Sequence, residues 1–93
     1  MEFIETKIFT KKIKKLLDDK TYQELRDYIT EYPLKGVLLK GGGGIRKIRW
    51  NKKNTGKSGG VRIIYFIKHK DTVYMLYAFG KNEQENLSDK QVA

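Results

Sequence analysis

The sequence predicts an α+β fold in which an N-terminal strand and a helix hairpin pack on a small antiparallel sheet. In the first third of the 93-residue chain, apolar residues recur at the 3.6-residue period of a helix. The remainder contains short β-branched and aromatic runs, separated by glycine-rich or polar turns. A chain of this length has room for one hydrophobic core. We therefore expect residues 1–93 to form a single two-layer domain.

The N-terminal part carries start and stop signals for two helices. Phe3 to Glu5 is a candidate first strand, and Thr6 precedes a helix predicted from Lys7 to Leu17. Asp18-Asp19 offers a carboxylate cap for a second helix, which Pro33 ends. The predicted apolar stripes consist of Ile8, Phe9, Ile13, Leu16 and Leu17 in the first helix and of Tyr22, Leu25, Tyr28, Ile29 and Tyr32 in the second.

Strand patterns follow the helices. Val37 to Lys40 leads into four glycines, and Ile45 to Trp50 then alternates apolar and basic side chains. After a polar, lysine-rich loop over residues 51–60, Val61 to Lys68 and Val73 to Phe79 form two β-branched and aromatic runs joined by a short turn. These last three segments predict an antiparallel meander. The near-continuous apolar character of the last two predicts that both faces of the sheet are at least partly covered.

Basic residues are concentrated in one part of the chain. The formal net charge is +9, and the segment from Pro33 to Lys70 holds eleven Lys or Arg residues and no Asp or Glu. A cationic segment inside a folded region is typical of a surface that binds a polyanion, with nucleic acid the leading candidate. A solvated basic surface without a ligand is the alternative.

Within this segment, the alternation of side chains along a strand assigns each residue to one face of the sheet. Lys47 and Arg49 are expected on one face, with Ile48 and Trp50 on the other, so one face is cationic. Arg62 opens the next, otherwise apolar strand. Because burying an unpaired guanidinium is costly, it requires either a carboxylate partner or an anionic ligand.

Other charged residues near these strands have separate expected roles. Glu83 is the candidate carboxylate partner of Arg62, and a ligand-facing arginine and a structural ion pair both stay open. Arg46 is a candidate RNA contact. The lysines of the loop are suited to tethering a phosphate backbone rather than to holding a reacting group. They are Lys52, Lys53 and Lys57.

The amino-acid composition excludes several kinds of metal and nucleotide site. The chain has no cysteine, one histidine (His69) and no acidic residue in the basic segment, so zinc–cysteine, paired-histidine and two-metal carboxylate sites lack their groups. The glycines of residues 41–44 precede a strand rather than a helix, which argues against a nucleotide-binding loop. We expect no cofactor and no metal. No membrane-length apolar run or signal-peptide pattern is present, and the expected location is the cytoplasm.

Three segments occur in an order typical of one protein family. They are Gly43 to Trp50, Gly56 to Phe66 and Phe79 to Glu83. Together they resemble the RelE superfamily of toxins from bacterial type II toxin–antitoxin systems, and most closely its HigB-like branch. The resemblance implies a small α+β endoribonuclease that cuts mRNA in the ribosomal A site. It also implies three partners: the ribosome, mRNA, and a cognate antitoxin, expected to be a helix-turn-helix DNA-binding protein.

The resemblance also implies the positions of the catalytic residues. The basic strand residues of the family fall on Lys47 and Arg49, and its strand arginine falls on Arg62. Where well-studied relatives have a catalytic arginine and a C-terminal tyrosine, this chain has Asn82 and Ser88. The HigB-like branch commonly has the version found here, which adds Lys81, Asn82 and Glu83 to the candidate catalytic residues.

Two functions of different classes stay open at this point. The first is a metal-independent, ribosome-dependent endoribonuclease, in which Arg62 would clamp the phosphate and Lys47, beside other cations, would act as the base. The second is a non-catalytic RNA-binding or ribosome-associated module. Its candidate stacking residues are Trp50, Tyr65 and Tyr74, for which core packing is the alternative.

Overall fold

A computed structural model describes residues 1–51, 60–69 and 71–80, and over these residues the chain forms two helices and five strands. The predicted α+β class is confirmed. The elements in chain order are β1 (Glu2–Glu5), α1 (Lys7–Leu16), α2 (Asp19–Glu31), β2 (Val37–Leu38), β3 (Ile45–Asn51), β4 (Gly60–His69) and β5 (Thr72–Gly80). Neither helix in this part of the chain is long and apolar enough to cross a membrane.

The five strands form one mixed sheet in the order β1-β5-β4-β3-β2. The predicted antiparallel meander is confirmed as β3, β4 and β5. β1 pairs with β5 in parallel at one edge, and β2 pairs with β3 antiparallel at the other. In the segment that leads into the glycines, Val37 and Leu38 pair with β3 as a short edge strand. The chain then turns through Gly41, Gly43 and Gly44, which all have positive φ angles that favour glycine.

Both helices begin with the predicted side-chain caps. Thr6 Oγ1 accepts a hydrogen bond from the Phe9 N–H at 3.1 Å and donates one to the Leu76 carbonyl of β5 at 2.8 Å. The Asp18 carboxylate accepts from the Thr21 N–H at 2.7 Å. The caps satisfy N–H groups that have no partner within the helix. The Thr6 hydroxyl also ties the start of α1 to the sheet.

One carboxylate joins β1 to both helices. Glu5 Oε1 accepts a hydrogen bond from the Thr10 hydroxyl at 2.6 Å, and its Oε2 accepts one from the Tyr22 hydroxyl at 2.5 Å. Burial and the hydrogen bond to Glu5 raise the pKa of Tyr22. Because the three groups come from β1, α1 and α2, they set how the helix hairpin sits against the edge of the sheet.

The main core lies between the helices and one face of the sheet. Its fully buried members include Phe9 of α1, Leu25 and Ile29 of α2, and Ile63 and Met75 of the sheet. The predicted burial of two residues in the apolar stripes is wrong. Ile8 is 53% exposed and Tyr32, which follows α2, is 44% exposed. Each helix presents only a narrow stripe to the sheet, and residues on the flank of that stripe stay in solvent.

Two side chains of the sheet hold the loop between α2 and β2. The Tyr65 hydroxyl donates to the Pro33 carbonyl at 2.9 Å and accepts from the Gly36 N–H at 3.0 Å. Arg46 Nη1 donates to the carbonyls of Leu34 and Gly36 at 3.1 and 2.7 Å. A Cβ on Gly36 would lie 2.5 Å from the Tyr65 hydroxyl oxygen, so glycine is needed for this approach. Tyr65 is fully buried, which confirms core packing as its role and excludes it as a stacking residue.

Candidate functional site

The face of the sheet away from the helices carries the predicted cations. Alternation along β3 places Lys47 and Arg49 on this face, whereas Ile48 belongs to the core on the helix side. The register pairs Arg49 with Arg62 of β4 and Lys47 with Ile64. The structure therefore brings together three of the predicted site residues, Lys47, Arg49 and Arg62, which we name the cationic face.

Arg49 and Arg62 stand directly opposite each other. The Leu39 N–H donates to the Ile45 carbonyl at 2.9 Å, so the backbone groups of Ile45 point toward β2. By alternation those of Arg49 also point away from β4, which makes Arg49 and Arg62 a non-hydrogen-bonded pair. In such pairs the Cα atoms are only about 4.5 Å apart and the side chains are close.

Two like charges in this position destabilise a sheet. The strands β3, β4 and β5 contain no Asp or Glu, so all the charged side chains of these three strands are basic or histidine. Arg62 is half-buried, and its Nη1 donates to the Gly60 carbonyl at 3.2 Å. Two guanidinium groups side by side on one face are suited to binding an anion such as a phosphate, to which each can donate two hydrogen bonds.

Apolar side chains surround the cations on the same face. Ile45, Ile64 and Phe79 are buried there, with half-buried Phe66 and Tyr77 packed against them. Burial on this face as well as on the helix side confirms the expectation drawn from the apolar strands. Low-polarity surroundings strengthen the attraction between a guanidinium and a phosphate. The cationic face thus combines positive charge with partial exclusion of water.

The other candidate residues are not all in the same place. Arg46 lies on the helix side of β3 and donates to backbone carbonyls of the loop at 33–36, so the structure does not bring it to the cationic face. Six further candidates lie outside the described residues. They are Lys52, Lys53 and Lys57 of the loop, and Lys81, Asn82 and Glu83 after β5.

The two remaining aromatic candidates are half-buried. The rings of Trp50 and Tyr28 lie 5.2 Å apart between their centroids, at the contact of β3 with α2. The ring of Tyr74 has Lys68 Nζ at 5.8 Å from its centroid. Sequence reasoning missed a cleft beside Trp50 to which α2 and the loop at 33–36 contribute Glu24 and Lys35. No local pattern links these three positions, because only the packing of α2 against β3 brings them together.

Metal-ligating groups are sparse over the described part of the chain. Among residues 1–51, 60–69 and 71–80, no three or more His, Asp or Glu side chains lie close enough to hold one ion. The basic side chains on the cationic face carry positive charge and donate hydrogen bonds. They are suited to binding an anion such as a phosphodiester and to stabilising added negative charge on it.

Comparison with known families identifies the family of the chain. A family model described as the RelE toxin of the RelE / RelB toxin–antitoxin system matches residues 1–93. The match spans the whole chain, including the α+β fold and the cationic face. It confirms the resemblance at the level of the family and implies an antitoxin as a partner. This chain therefore belongs to the RelE toxin family and is a toxin of a toxin–antitoxin system.

Proposed function

We propose that this toxin is a metal-independent endoribonuclease that cleaves mRNA in the A site of translating ribosomes and thereby inhibits translation. The observation that carries the proposal is the cationic face, where Arg49 and Arg62 oppose each other with Lys47 beside them and no acidic residue on the three central strands. A phosphodiester is an anion that suits this face, since its oxygens accept hydrogen bonds from guanidinium and ammonium groups that lie on one side of the sheet.

The proposed reaction uses the RNA as its own nucleophile. The 2′ oxygen attacks the adjacent phosphorus, the bond from phosphorus to the 5′ oxygen breaks, and the products are a cyclic 2′,3′-phosphate and a free 5′-hydroxyl. Extra negative charge develops on the non-bridging oxygens in the transition state. Arg62 is suited to a bidentate contact with that charge, and Arg49 adds a second guanidinium across the strand pair.

Proton transfers complete the proposed chemistry. Lys47, half-buried and opposite Ile64, is the proposed base that removes the proton of the 2′-hydroxyl. The leaving 5′ oxygen must gain a proton. The proposed source of that proton is the segment Lys81, Asn82 and Glu83, which the HigB-like resemblance assigns to the site. The proposal thus includes membership of the HigB-like branch.

The ribosome is proposed to hold the mRNA in the geometry that the reaction requires. In-line attack requires the 2′ oxygen, the phosphorus and the leaving oxygen to be aligned, and a decoding site that already holds the mRNA provides this order. The loop lysines Lys52, Lys53 and Lys57 are proposed to contact ribosomal RNA. Action on translating ribosomes locates the toxin in the cytoplasm, where a helix-turn-helix antitoxin is proposed to hold it inactive.

Cleavage on programmed ribosomes tests the proposal. The purified toxin is added to ribosomes carrying a defined mRNA, and primer extension maps the 3′ ends that appear. We expect one cut within the A-site codon and no cut in the same mRNA without ribosomes. Binding of the toxin to ribosomes with the mRNA left intact would overturn the proposal and favour the non-catalytic RNA-binding module.

A test in cells addresses the partner. Expression of the toxin alone is expected to stop growth, and co-expression of the product of an adjacent small reading frame is expected to restore it through a stable complex. Growth inhibition that no neighbouring product relieves would count against the proposed antitoxin.

A further inference from the structure

A cleft of about 450 Å³ lies between α2 and β3, beside the cationic face. Tyr28 and Trp50 contribute aromatic surface, while Glu24, Lys35 and Arg49 contribute charge. Arg49 belongs to both the cleft and the cationic face, so a chain bound along the cationic face is continuous with the mouth of the cleft. The mechanism proposed above does not use Glu24, Tyr28, Lys35 or Trp50.

The aromatic wall of the cleft offers a stacking surface. Trp50 and Tyr28 are each half-buried, with ring centroids 5.2 Å apart and ring planes at 50°. The tilted contact holds each ring in place while part of its surface faces solvent. Unpaired bases of RNA bind such partly exposed rings by stacking, whatever the base.

Lys35 lines the cleft and belongs to a loop whose backbone is held to the sheet. Lys35 lies between Leu34 and Gly36, whose carbonyls both accept from Arg46 at 3.1 and 2.7 Å. The Gly36 N–H also donates to the buried Tyr65 hydroxyl. Because both neighbours of Lys35 are anchored to the sheet, little backbone entropy is lost when its ammonium group binds a phosphate.

Glu24 is the residue of the cleft whose hydrogen-bonding groups distinguish one base from another. Its carboxylate is exposed, and among the described residues it has no hydrogen-bond or ion-pair partner. A carboxylate only accepts hydrogen bonds, and it accepts two side by side. Guanine presents two adjacent donors, N1–H and the N2 amino group. In adenine, cytosine and uracil, an acceptor lies next to each donor on this edge and would face a carboxylate oxygen.

We propose that this cleft binds an unpaired guanine of the RNA substrate, stacked on Trp50 and hydrogen-bonded to Glu24, with its phosphate at Lys35 and Arg49. The inference rests on the proposed function for the identity of the ligand. An acidic segment of a protein partner is the competing occupant. The cleft disfavours it, because the carboxylate of Glu24 repels acidic side chains.

Fluorescence of Trp50 measures binding directly, because the chain contains a single tryptophan. The isolated toxin is titrated separately with GMP, AMP, CMP and UMP. We expect GMP to quench Trp50 at concentrations about tenfold lower than the other three nucleotides, the discrimination typical of a bidentate contact to one base. Equal quenching by all four, or no quenching, overturns the inference.

Glu24→Gln tests the selectivity while preserving the size of the side chain. The amide replaces one acceptor by a donor, so the preference for GMP is expected to fall about tenfold. Asp27→Asn is the matched control, since it removes the same charge from an exposed position of α2 outside the cleft. Equal loss in both variants would indicate a general charge effect and overturn the role of Glu24.

Two further results separate this inference from the proposed function. If GMP quenches Trp50 but ribosomes carrying mRNA are not cut, the guanine site stands and the cleavage proposal falls. If mRNA is cut but no nucleotide quenches Trp50, the guanine site alone is overturned. A fluorescence change with an acidic peptide and none with nucleotides would assign the cleft to a protein partner and likewise overturn the inference.

Discussion

On β3, Arg46 and Arg49 lie three positions apart and point to opposite faces of the sheet. Arg46, on the helix side, donates to the carbonyls of Leu34 and Gly36 and so holds the chain in place. Arg49 lies opposite Arg62 of β4 on the other side, where the two side chains bring like charges together. One face of the sheet thus uses its arginine for folding, and the other keeps its arginines in a position to bind an anion.

The largest expected effect is on the cationic face. Arg62→Ala removes the proposed clamp on the phosphate, and cleavage on programmed ribosomes is expected to fall about 100-fold or more. Thermal unfolding is expected to change little, since Arg62 is only half-buried and lies on the face of the sheet away from the main core. Lys68→Ala, at the exposed end of β4, is the control and is expected to keep wild-type cleavage. Full cleavage by folded Arg62→Ala protein would remove Arg62 from the mechanism.

The opposite pattern is expected on the helix side. Tyr65→Phe leaves the Pro33 carbonyl and the Gly36 N–H without their partner and is expected to lower the free energy of unfolding by about 2 kcal/mol. Cleavage per folded molecule should stay close to that of the wild type. Urea denaturation measures the stability, and Tyr74→Phe, at a half-buried position, is expected to change it by less than about 0.5 kcal/mol. Equal loss in both variants would contradict the importance of the Tyr65 contacts.

Paired substitutions on β3 compare the two faces within one strand. Arg46→Gln is expected to lower the free energy of unfolding by about 1–2 kcal/mol, because the contacts to two carbonyls are lost. Arg49→Gln is expected to leave stability nearly unchanged and to reduce cleavage about tenfold, through a weaker contact to the phosphate. If the two variants lost stability equally, the contrast between the faces would not hold.

A smaller effect is expected from the lysines at positions 52, 53 and 57. Replacing Lys52, Lys53 and Lys57 together by glutamine should weaken binding to ribosomes and flatten its dependence on salt, because fewer counterions are released. Sedimentation of toxin with ribosomes over a range of KCl concentrations measures the slope. An unchanged slope would show that these lysines do not contact phosphates.

The smallest expected effect concerns alkaline pH. Burial raises the pKa of Tyr65 from its ordinary value of 10.0, so the folded state favours the protonated hydroxyl. The corresponding stability is fully present below pH 10 and is lost as the pH rises above it, because the unfolded chain then releases the proton first. Tyr65→Phe is expected to make the loss of stability above pH 10 less steep, as measured by urea denaturation at several pH values. An unchanged steepness would contradict this contribution.

The structure corrected the predicted burial of one side chain and decided between two interpretations of another. Ile8 has the spacing of a core residue, yet it lies on the flank of the short helix α1 and is exposed. For Tyr65 the sequence left stacking and core packing open. The residue is packed in the core because its hydroxyl bonds the loop at 33–36, which lies about 30 positions earlier in the chain.

The sequence by itself determined the order of helices and strands, the caps at Thr6 and Asp18, and the presence of Lys47 and Arg49 on one face. Each of these depends on local features of the sequence. They are the 3.6-residue period of a helix, the two-residue period of a strand, and the reach of a side chain to nearby backbone groups. Only the tertiary structure decided that Arg49 faces Arg62, that β1 lies parallel to β5, and that Glu24 and Lys35 meet beside Trp50. Strand register and the packing of α2 join residues far apart in the chain, and no local period specifies which partner will be opposite.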